Sequence, residues 1–119
     1  MKKKRILILV LAIIIVLIGI LLGILVSNKT FFKNTYTGTQ GQEIFIPKYS
    51  YFKNECCMTA ATFYSLKSEK QLKKEIDNYM KDFKQFEDET TYGYRKDDLF
   101  IQNYEVINKG IIRKIVITY

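Results

Sequence analysis

Residues 6–26 read ILILVLAIIIVLIGILLGILV, an unbroken run without one polar side chain. At about 1.5 Å per residue, a helix of this length is roughly 31 Å long and matches a hydrocarbon core of about 30 Å. A cleaved secretory signal has a shorter apolar region followed by a small-x-small cleavage site, and this sequence shows neither feature. The run therefore predicts an uncleaved membrane anchor whose residues 6–26 contact lipid.

Positive charge flanks this run unequally. Four basic residues fill positions 2–5, whereas only Lys29 and Lys33 follow the run closely. The more basic flank of a membrane helix stays in the cytoplasm. We therefore expect a single-pass protein of the cell membrane, with residues 1–5 as a cytoplasmic tail and an extracytoplasmic C-terminal domain.

Two small residues stand one helical turn apart inside the run. Gly19 and Gly23 form a G-x-x-x-G pair, which lets a second membrane helix approach closely. A homodimer through this face is one interpretation. The other is that glycine is simply frequent in membrane helices.

The net charge of +7 comes from 19 basic and 12 acidic side chains. The basic residues at positions 2–5 supply more than half of that surplus, and the sequence from Asn54 onward is electrically balanced. No concentrated basic footprint remains, so we predict no nucleic-acid partner. The sequence also contains no His, which excludes His-based general base catalysis, Ser-His-Asp and Cys-His triads and His-containing zinc sites.

Residues 27–42 are rich in Ser, Asn, Thr, Gly and Gln. That composition is typical of a stem or linker rather than a packed element. We therefore expect a linker over residues 27–42 and an extracytoplasmic α+β domain over residues 43–119.

One amphipathic helix is predicted over residues 69–86. Its apolar residues recur at steps of three and four and so share one stripe: Leu72, Ile76, Tyr79, Met80, Phe83 and Phe86. Ser68 is a suitable N-cap, and Gln71 three residues later completes a capping-box pattern. Such a stripe is typical of a face that packs on a core.

Extended segments surround this helix. Five of them read as strands: residues 43–52 and 57–66 before the helix, and residues 90–95, 99–107 and 111–119 after it. The turns between them are predicted at residues 53–55, 96–98 and 108–110. The fold class is thus α+β: an N-terminal transmembrane helix followed by a small antiparallel sheet packed by one amphipathic helix. The order of the domain is strand-strand-helix-strand-strand-strand.

Cys56 and Cys57 are the only cysteines. Neighbouring residues of a strand point to opposite faces, so we expect one thiol to pack inside while the other faces out. A bond between the two would be strained, because neighbouring positions rarely meet disulfide geometry. The alternative is an intermolecular disulfide through Cys57 that joins two copies of the chain. A catalytic thiol is disfavoured, because no nearby side chain is suited to be its base.

Two acidic clusters flank a predicted strand, and one interpretation is that they come within several ångströms of each other. They are Glu87, Asp88 and Glu89 on one side and Asp97 and Asp98 on the other. Their spacing matches no EF-hand loop, so solvated turn charge is the simpler interpretation. Nearby tyrosines could line a ligand surface, although strand propensity explains them equally well: Tyr92, Tyr94 and Tyr104. We therefore predict no catalytic, cofactor-binding or metal-ligating residue.

Abundant Ile, Lys and Asn, which have AT-rich codons, favour a bacterial source with an AT-rich genome. The sequence then indicates an anchored binding or scaffolding protein of the cell envelope, without catalysis, with an envelope protein as partner. Two alternatives stay open. One is an immunity or inhibitor protein directed against a toxin or hydrolase, and the other is an accessory subunit of a secretion, conjugation or division assembly.

The membrane topology can be tested directly. We expect the intact chain to stay in membranes after carbonate washing, because residues 6–26 carry no polar side chain. External protease applied to whole cells should digest the C-terminal portion. Release of a mature form that starts near Asn28 would contradict the anchor.

Overall fold

The computed structural model describes residues 2–119, and its first element is a long apolar helix. Helix α1 spans Lys2–Ser27, is long and apolar enough to cross a membrane, and buries none of its residues within the protein. The molecule measures 75 × 28 × 21 Å. Because a helix of 26 residues takes up about 39 Å of that length, the remaining residues form a domain beyond the end of the helix rather than beside it.

The rest of the chain forms a small α+β domain, which confirms the predicted fold class. Its elements are β1 (Thr35–Thr37), β2 (Glu43–Phe45), β3 (Tyr51–Cys56), β4 (Ala60–Ser65), α2 (Glu69–Met80), β5 (Lys84–Glu87), β6 (Tyr92–Lys96), β7 (Leu99–Ile101), β8 (Asn103–Lys109) and β9 (Ile112–Thr118). All strand pairs are antiparallel. The observed strands are more numerous and shorter than predicted.

The strands form three sheets. A central sheet has the order β3-β4-β9-β8, β1 pairs with β2, and β5-β6-β7 form a third sheet. In the central sheet Phe63 of β4 lies between Phe52 of β3 and Ile115 of β9. Strand β9 therefore lies between β4 and β8 and joins the β3–β4 hairpin to β8.

One face of the central sheet carries the core. Its fully buried side chains come from β4 and β9: Ala61, Phe63, Ile115 and Ile117. Helix α2 contributes the buried Leu72 and Ile76, and its Tyr79 ring stacks on the ring of Phe45 in β2 at 4.6 Å. The core is thus enclosed by α2 and the β1–β2 pair, as expected for an antiparallel sheet that buries one face.

The N-terminus of α2 is as predicted, but its C-terminus is not. Ser68 Oγ accepts a hydrogen bond from the backbone N–H of Gln71 at 3.2 Å and so caps the helix. The helix ends at Met80, six residues before the predicted end at Phe86. Residues 84–87 instead pair with β6, because strand pairing satisfies their backbone groups and overrides the helical spacing of the aromatic residues. Phe83 follows the helix and still packs on Tyr79, with ring centroids 5.1 Å apart.

The turn predicted at residues 53–55 is wrong. These residues belong to β3, and the pairing register shifts between Phe52 and Asn54, so Lys53 forms a β-bulge. The chain reverses later, where Cys57 and Met58 both adopt positive φ, 61° and 62°. The bulge accommodates Lys53, one of the polar residues that predicted a turn, and β3 therefore continues to Cys56.

The linker predicted over residues 27–42 is also wrong, because this stretch is packed. Tyr36 is only 3% exposed, and its ring stacks on Phe52 and meets the edge of Phe63, both at 5.4 Å. Strand β1 around it pairs with β2. The Tyr36 ring thus draws strand β1 into the core.

The junction between α1 and the domain is formed by one side chain. Asn28 follows the last helical residue, and its amide bonds to both backbone groups of Phe52: Nδ2 donates to the carbonyl at 3.0 Å and Oδ1 accepts from the N–H at 3.0 Å. Two residues later, Thr30 Oγ1 donates to the buried carbonyl of Ser50 at 2.9 Å. The domain therefore begins at the end of the helix, without a flexible stem.

The turn of the last hairpin is as predicted. Gly110 has φ +84°, the left-handed conformation that glycine adopts most easily. Ile115 and Ile117 are buried, whereas Ile111 lies in the turn and is 83% exposed. The strand predicted over residues 99–107 is interrupted at Gln102, whose N–H bonds to the carbonyl of Thr118 at 2.8 Å.

The core assignment predicts the response to truncation. Ile76→Ala should lower the free energy of unfolding by about 2–5 kcal/mol, because Ile76 is 6% exposed and its removal leaves a cavity. Leu66→Ala is the control and should change it little, since Leu66 is 74% exposed. Chemical denaturation of both variants checks this, and equal stability of the two would contradict the assignment of α2 to the core.

Candidate functional site

A carboxylate that accepts hydrogen bonds from two hydroxyl-bearing residues lies at one end of the central sheet. Glu55 of β3 accepts a hydrogen bond from Tyr119 Oη at 2.6 Å and from the backbone N–H of Thr39 at 3.3 Å, and the Thr39 hydroxyl also donates to it. The ring of Tyr36 lies 6.3 Å from that of Tyr119. We call these four residues the Glu55 clasp, because they join β3, the segment after β1 and the end of β9.

Hydrogen bonding sets the protonation of the Glu55 clasp. Hydrogen bonds lower the pKa of Glu55 to about 2. The Thr39 side chain contributes most, followed by Tyr119 and Tyr36. Burial is the main cause that raises the pKa of Tyr36 to about 12, and the hydrogen bond with Glu55 is the second cause. Burial also raises the pKa of Tyr119. A carboxylate with such a low pKa is a weak base and the tyrosines keep their protons, so at neutral pH the clasp is suited to joining elements rather than to acid–base catalysis.

Both cysteines are exposed, which corrects the expectation that one is buried. The reason is the turn at Cys57 and Met58, which ends the strand alternation just after Cys56. A hydrogen bond with the Cys57 thiol, more than any other cause, raises the pKa of Cys56. Cys56 is thus held in its less nucleophilic protonated form, while the intermolecular disulfide through Cys57 stays a prediction.

The two acidic clusters do not meet. Glu87 ends β5, Asp88 and Glu89 follow it in the turn before β6, and residues 97–98 lie in the turn after β6. The five residues of β6 separate the two turns by about 17 Å. The interpretation that the clusters come within several ångströms is wrong, because they lie at opposite ends of β6. Across residues 2–119, the structure brings no three His, Cys, Asp or Glu side chains into a group suited to a metal ion.

The three tyrosines considered as a ligand surface separate into two environments. Tyr92 and Tyr94 lie side by side with ring centroids 6.2 Å apart, and Gln85 Nε2 donates to Tyr92 Oη at 2.9 Å. Tyr104 points into the domain, where its hydroxyl donates to the carbonyl of Phe45 at 2.7 Å and burial raises its pKa. Tyr104 is therefore part of the core, and the three residues do not form one surface.

An open cleft of about 440 Å³ is the clearest candidate for binding. It lies between the segment before β2, the C-terminal end of α2 and the β6–β7 turn. Its lining combines aromatic and charged side chains: Glu43, Tyr79, Phe83, Lys96, Asp97 and Asp98. We call it the acidic cleft, because three of its lining residues are carboxylates and one is a lysine.

The acidic cleft could not be recognised from sequence. Tyr79 and Phe83 match the core stripe of α2, and Glu43 lies far from Asp97 along the chain. Only the packing of β2 on α2, through the stacked rings of Phe45 and Tyr79, brings these residues together. The one local signal was the turn at Asp97, which the structure confirms with a φ of 52°.

The Glu55 clasp predicts a specific dependence of stability on acid. Glu55→Gln should lower the free energy of unfolding at pH 7 by about 1 kcal/mol, a modest value because water screens a partly exposed carboxylate. A carboxylate whose folded pKa is lowered stabilises the protein above its ordinary pKa, and this effect disappears as the pH falls. The difference between wild type and variant should therefore vanish between pH 4.5 and about 2.

Urea titrations over this pH range make the measurement, with Glu105→Gln as the matched control. Glu105 is an exposed residue of β8, and its replacement should change stability little at any pH. If the Glu55→Gln and Glu105→Gln proteins behave alike, the clasp does not stabilise the fold.

Comparison with known proteins gives this chain no relative. No family model, no curated protein and no solved structure matches it. Its function therefore has to be inferred from the geometry of its own residues.

Proposed function

We propose that this chain is a single-pass protein of a bacterial cell envelope whose extracytoplasmic domain binds another envelope component and carries out no catalysis. The observation that supports this most is the acidic cleft on a domain joined directly to an apolar helix. The cleft is the binding surface and the helix is the anchor. The cytoplasmic location of residues 2–5 follows from their positive charge.

The chemistry of the acidic cleft favours a cationic group with an apolar stem. Tyr79 and Phe83 offer aromatic faces, and Glu43, Asp97 and Asp98 offer carboxylates. Lysine and arginine side chains combine a charged head with an apolar stem and bind well to such surroundings. A volume of about 440 Å³ is also within the range of protein ligand sites. The partner is therefore a protein segment that presents basic side chains.

The junction at Asn28 supports a partner close to the membrane. The hydrogen bonds from Asn28 to Phe52 and from Thr30 to Ser50 leave no free segment between the helix and the domain. The domain cannot move far from the membrane that holds α1. Its partner is then a component at the membrane surface rather than one at a distance.

An immunity or inhibitor protein is the second candidate, and the charge of the cleft favours it over an assembly subunit. Carboxylates beside the aromatic rings of Tyr79 and Phe83 complement the positive surface of a basic toxin or hydrolase. Both functions use the same residues and differ in whether the partner loses activity on binding. Assay of the captured partner distinguishes them.

The proposed binding surface predicts that the partner needs the carboxylates of the acidic cleft. Full-length protein carrying Asp97→Asn and Asp98→Asn should lose its chemically crosslinked partner in pull-downs from solubilised membranes, because the attraction for a cation is removed. Asparagine tolerates the positive φ of 52° at position 97, so the turn is preserved. Recovery of the partner is measured by quantitative mass spectrometry.

The matched control removes the same charge from the other acidic turn. Asp88→Asn with Glu89→Gln changes exposed residues before β6, away from the acidic cleft, and should leave recovery unchanged. Equal recovery from the wild type and both double variants would contradict the cleft as the binding surface.

A further inference from the structure

Three aromatic rings cluster immediately outside α1. Phe31 lies 5.0 Å from Phe32 and 5.7 Å from Tyr49, and Phe32 lies 6.3 Å from Tyr49, centroid to centroid. The backbone N–H of Tyr49 donates to the carbonyl of Phe31 at 3.1 Å and fixes the cluster. Phe32 is 49% exposed and Tyr49 is 46% exposed. An apolar surface therefore begins within five residues of Ser27, the end of the helix.

Further exposed apolar side chains lie on and beside the β8–β9 hairpin, at the end of the central sheet that carries Ser65 and Arg113. Lys67 Nζ lies 5.9 Å from the centre of the Tyr49 ring, and Leu66, the residue before it, is 74% exposed. Ser65 lies opposite Arg113 in the central sheet, so the antiparallel register places Leu66 beside Ile112. Ile112 is 40% exposed and Ile111 is 83% exposed. We call Phe31, Phe32, Tyr49, Leu66, Ile111 and Ile112 the juxtamembrane patch.

Basic side chains surround the juxtamembrane patch. Lys48 Nζ lies 5.4 Å and Lys67 Nζ 5.9 Å from the centre of the Tyr49 ring. Along the chain, Lys29 and Lys33 flank Phe31 and Phe32, and Lys109 and Arg113 flank Ile111 and Ile112. Two carboxylates of α2 are paired with lysines, Glu75 with Lys67 at 2.9 Å and Glu69 with Lys73 at 2.8 Å, and Glu43 shares a surface pocket with Lys29 and Lys33. The border of the patch therefore has a positive surplus.

The opposite end of the central sheet has a different character. The β3–β4 turn lies there, because Cys56 pairs with Ala60 and Ala60 with Thr118, five strand positions from Arg113. The Glu55 clasp holds the segment that leads into the acidic cleft at this same end, through Thr39. The exposed side chains of Phe32, Leu66 and Ile111 thus lie toward the end near α1, whereas the Glu55 clasp lies at the opposite end.

We propose that the juxtamembrane patch rests on the anionic lipid surface of the membrane that α1 crosses, so that the domain lies against the bilayer. This inference depends on the proposed membrane anchor. Aromatic and aliphatic side chains bordered by lysines match the boundary between headgroups and acyl chains. The lysines bind headgroup phosphates, and each basic residue near such a surface strengthens attachment. The patch starts at the end of α1, so lipid is the surface within its reach.

The absence of tryptophan from the sequence allows a direct test. Ile111→Trp in the full-length protein, reconstituted into vesicles, introduces a single tryptophan at an exposed turn position. We expect blue-shifted emission and strong quenching by lipids that carry bromine on their acyl chains. Emission as in water, without quenching by brominated lipid, would overturn the proposal.

Two further single-tryptophan variants separate docking from anchoring. Thr59 is exposed at the opposite hairpin, so the fluorescence of Thr59→Trp should not be quenched by brominated lipid. Equal quenching at positions 59 and 111 would overturn the assigned orientation. Val16→Trp lies in the middle of α1 and reports insertion of the helix. If Val16→Trp is quenched and Ile111→Trp is not, docking fails and the anchor stands. If neither is quenched, the anchor itself fails.

The contribution of the lysines is measured by changing the lipid and the charge. Quenching of Ile111→Trp should be stronger in vesicles containing phosphatidylglycerol than in pure phosphatidylcholine. Adding Lys48→Glu and Lys67→Glu should abolish that difference. Equal quenching in both lipids would overturn the assignment of the lysines to anionic headgroups.

Discussion

The amide of Asn28 determines how the rest of the molecule is arranged. By bonding to both the N–H and the carbonyl of Phe52, it occupies the place that a neighbouring strand would take beside β3. Because Asn28 directly follows the helix, this side chain fixes the sheet to α1 instead of leaving it on a linker. The position of Phe31, Phe32 and Tyr49 beside the end of the helix depends on this attachment.

Local patterns in the sequence were enough to predict the elements that depend on local physics. The apolar run of α1, the Ser68 cap of α2 and the turn at Gly110 each follow from a few neighbouring residues. The end of α2 could not be predicted in this way. Phe83 and Phe86 continue the helical spacing, and only the pairing of β5 with β6 shows that they lie outside the helix.

Long-range packing explains what the sequence could not show of the candidate sites. Tyr36 lies in a polar segment that reads as a linker, yet its ring fills a space between Phe52 and Phe63 that exists only after the sheet has formed. The bond between Tyr119 and Glu55 likewise joins residues far apart along the chain. Neither cluster has a spacing signature, and both are specified by the tertiary fold.

The β3–β4 turn places two side chains under backbone strain without compensation. Left-handed conformations cost non-glycine residues roughly 1–2 kcal/mol each, and both Cys57 and Met58 adopt one while remaining exposed. Their side chains recover little of that cost through packing. The strain is confined to this two-residue tip, because the Glu55 clasp holds the adjoining end of β3 to Thr39 and Tyr119.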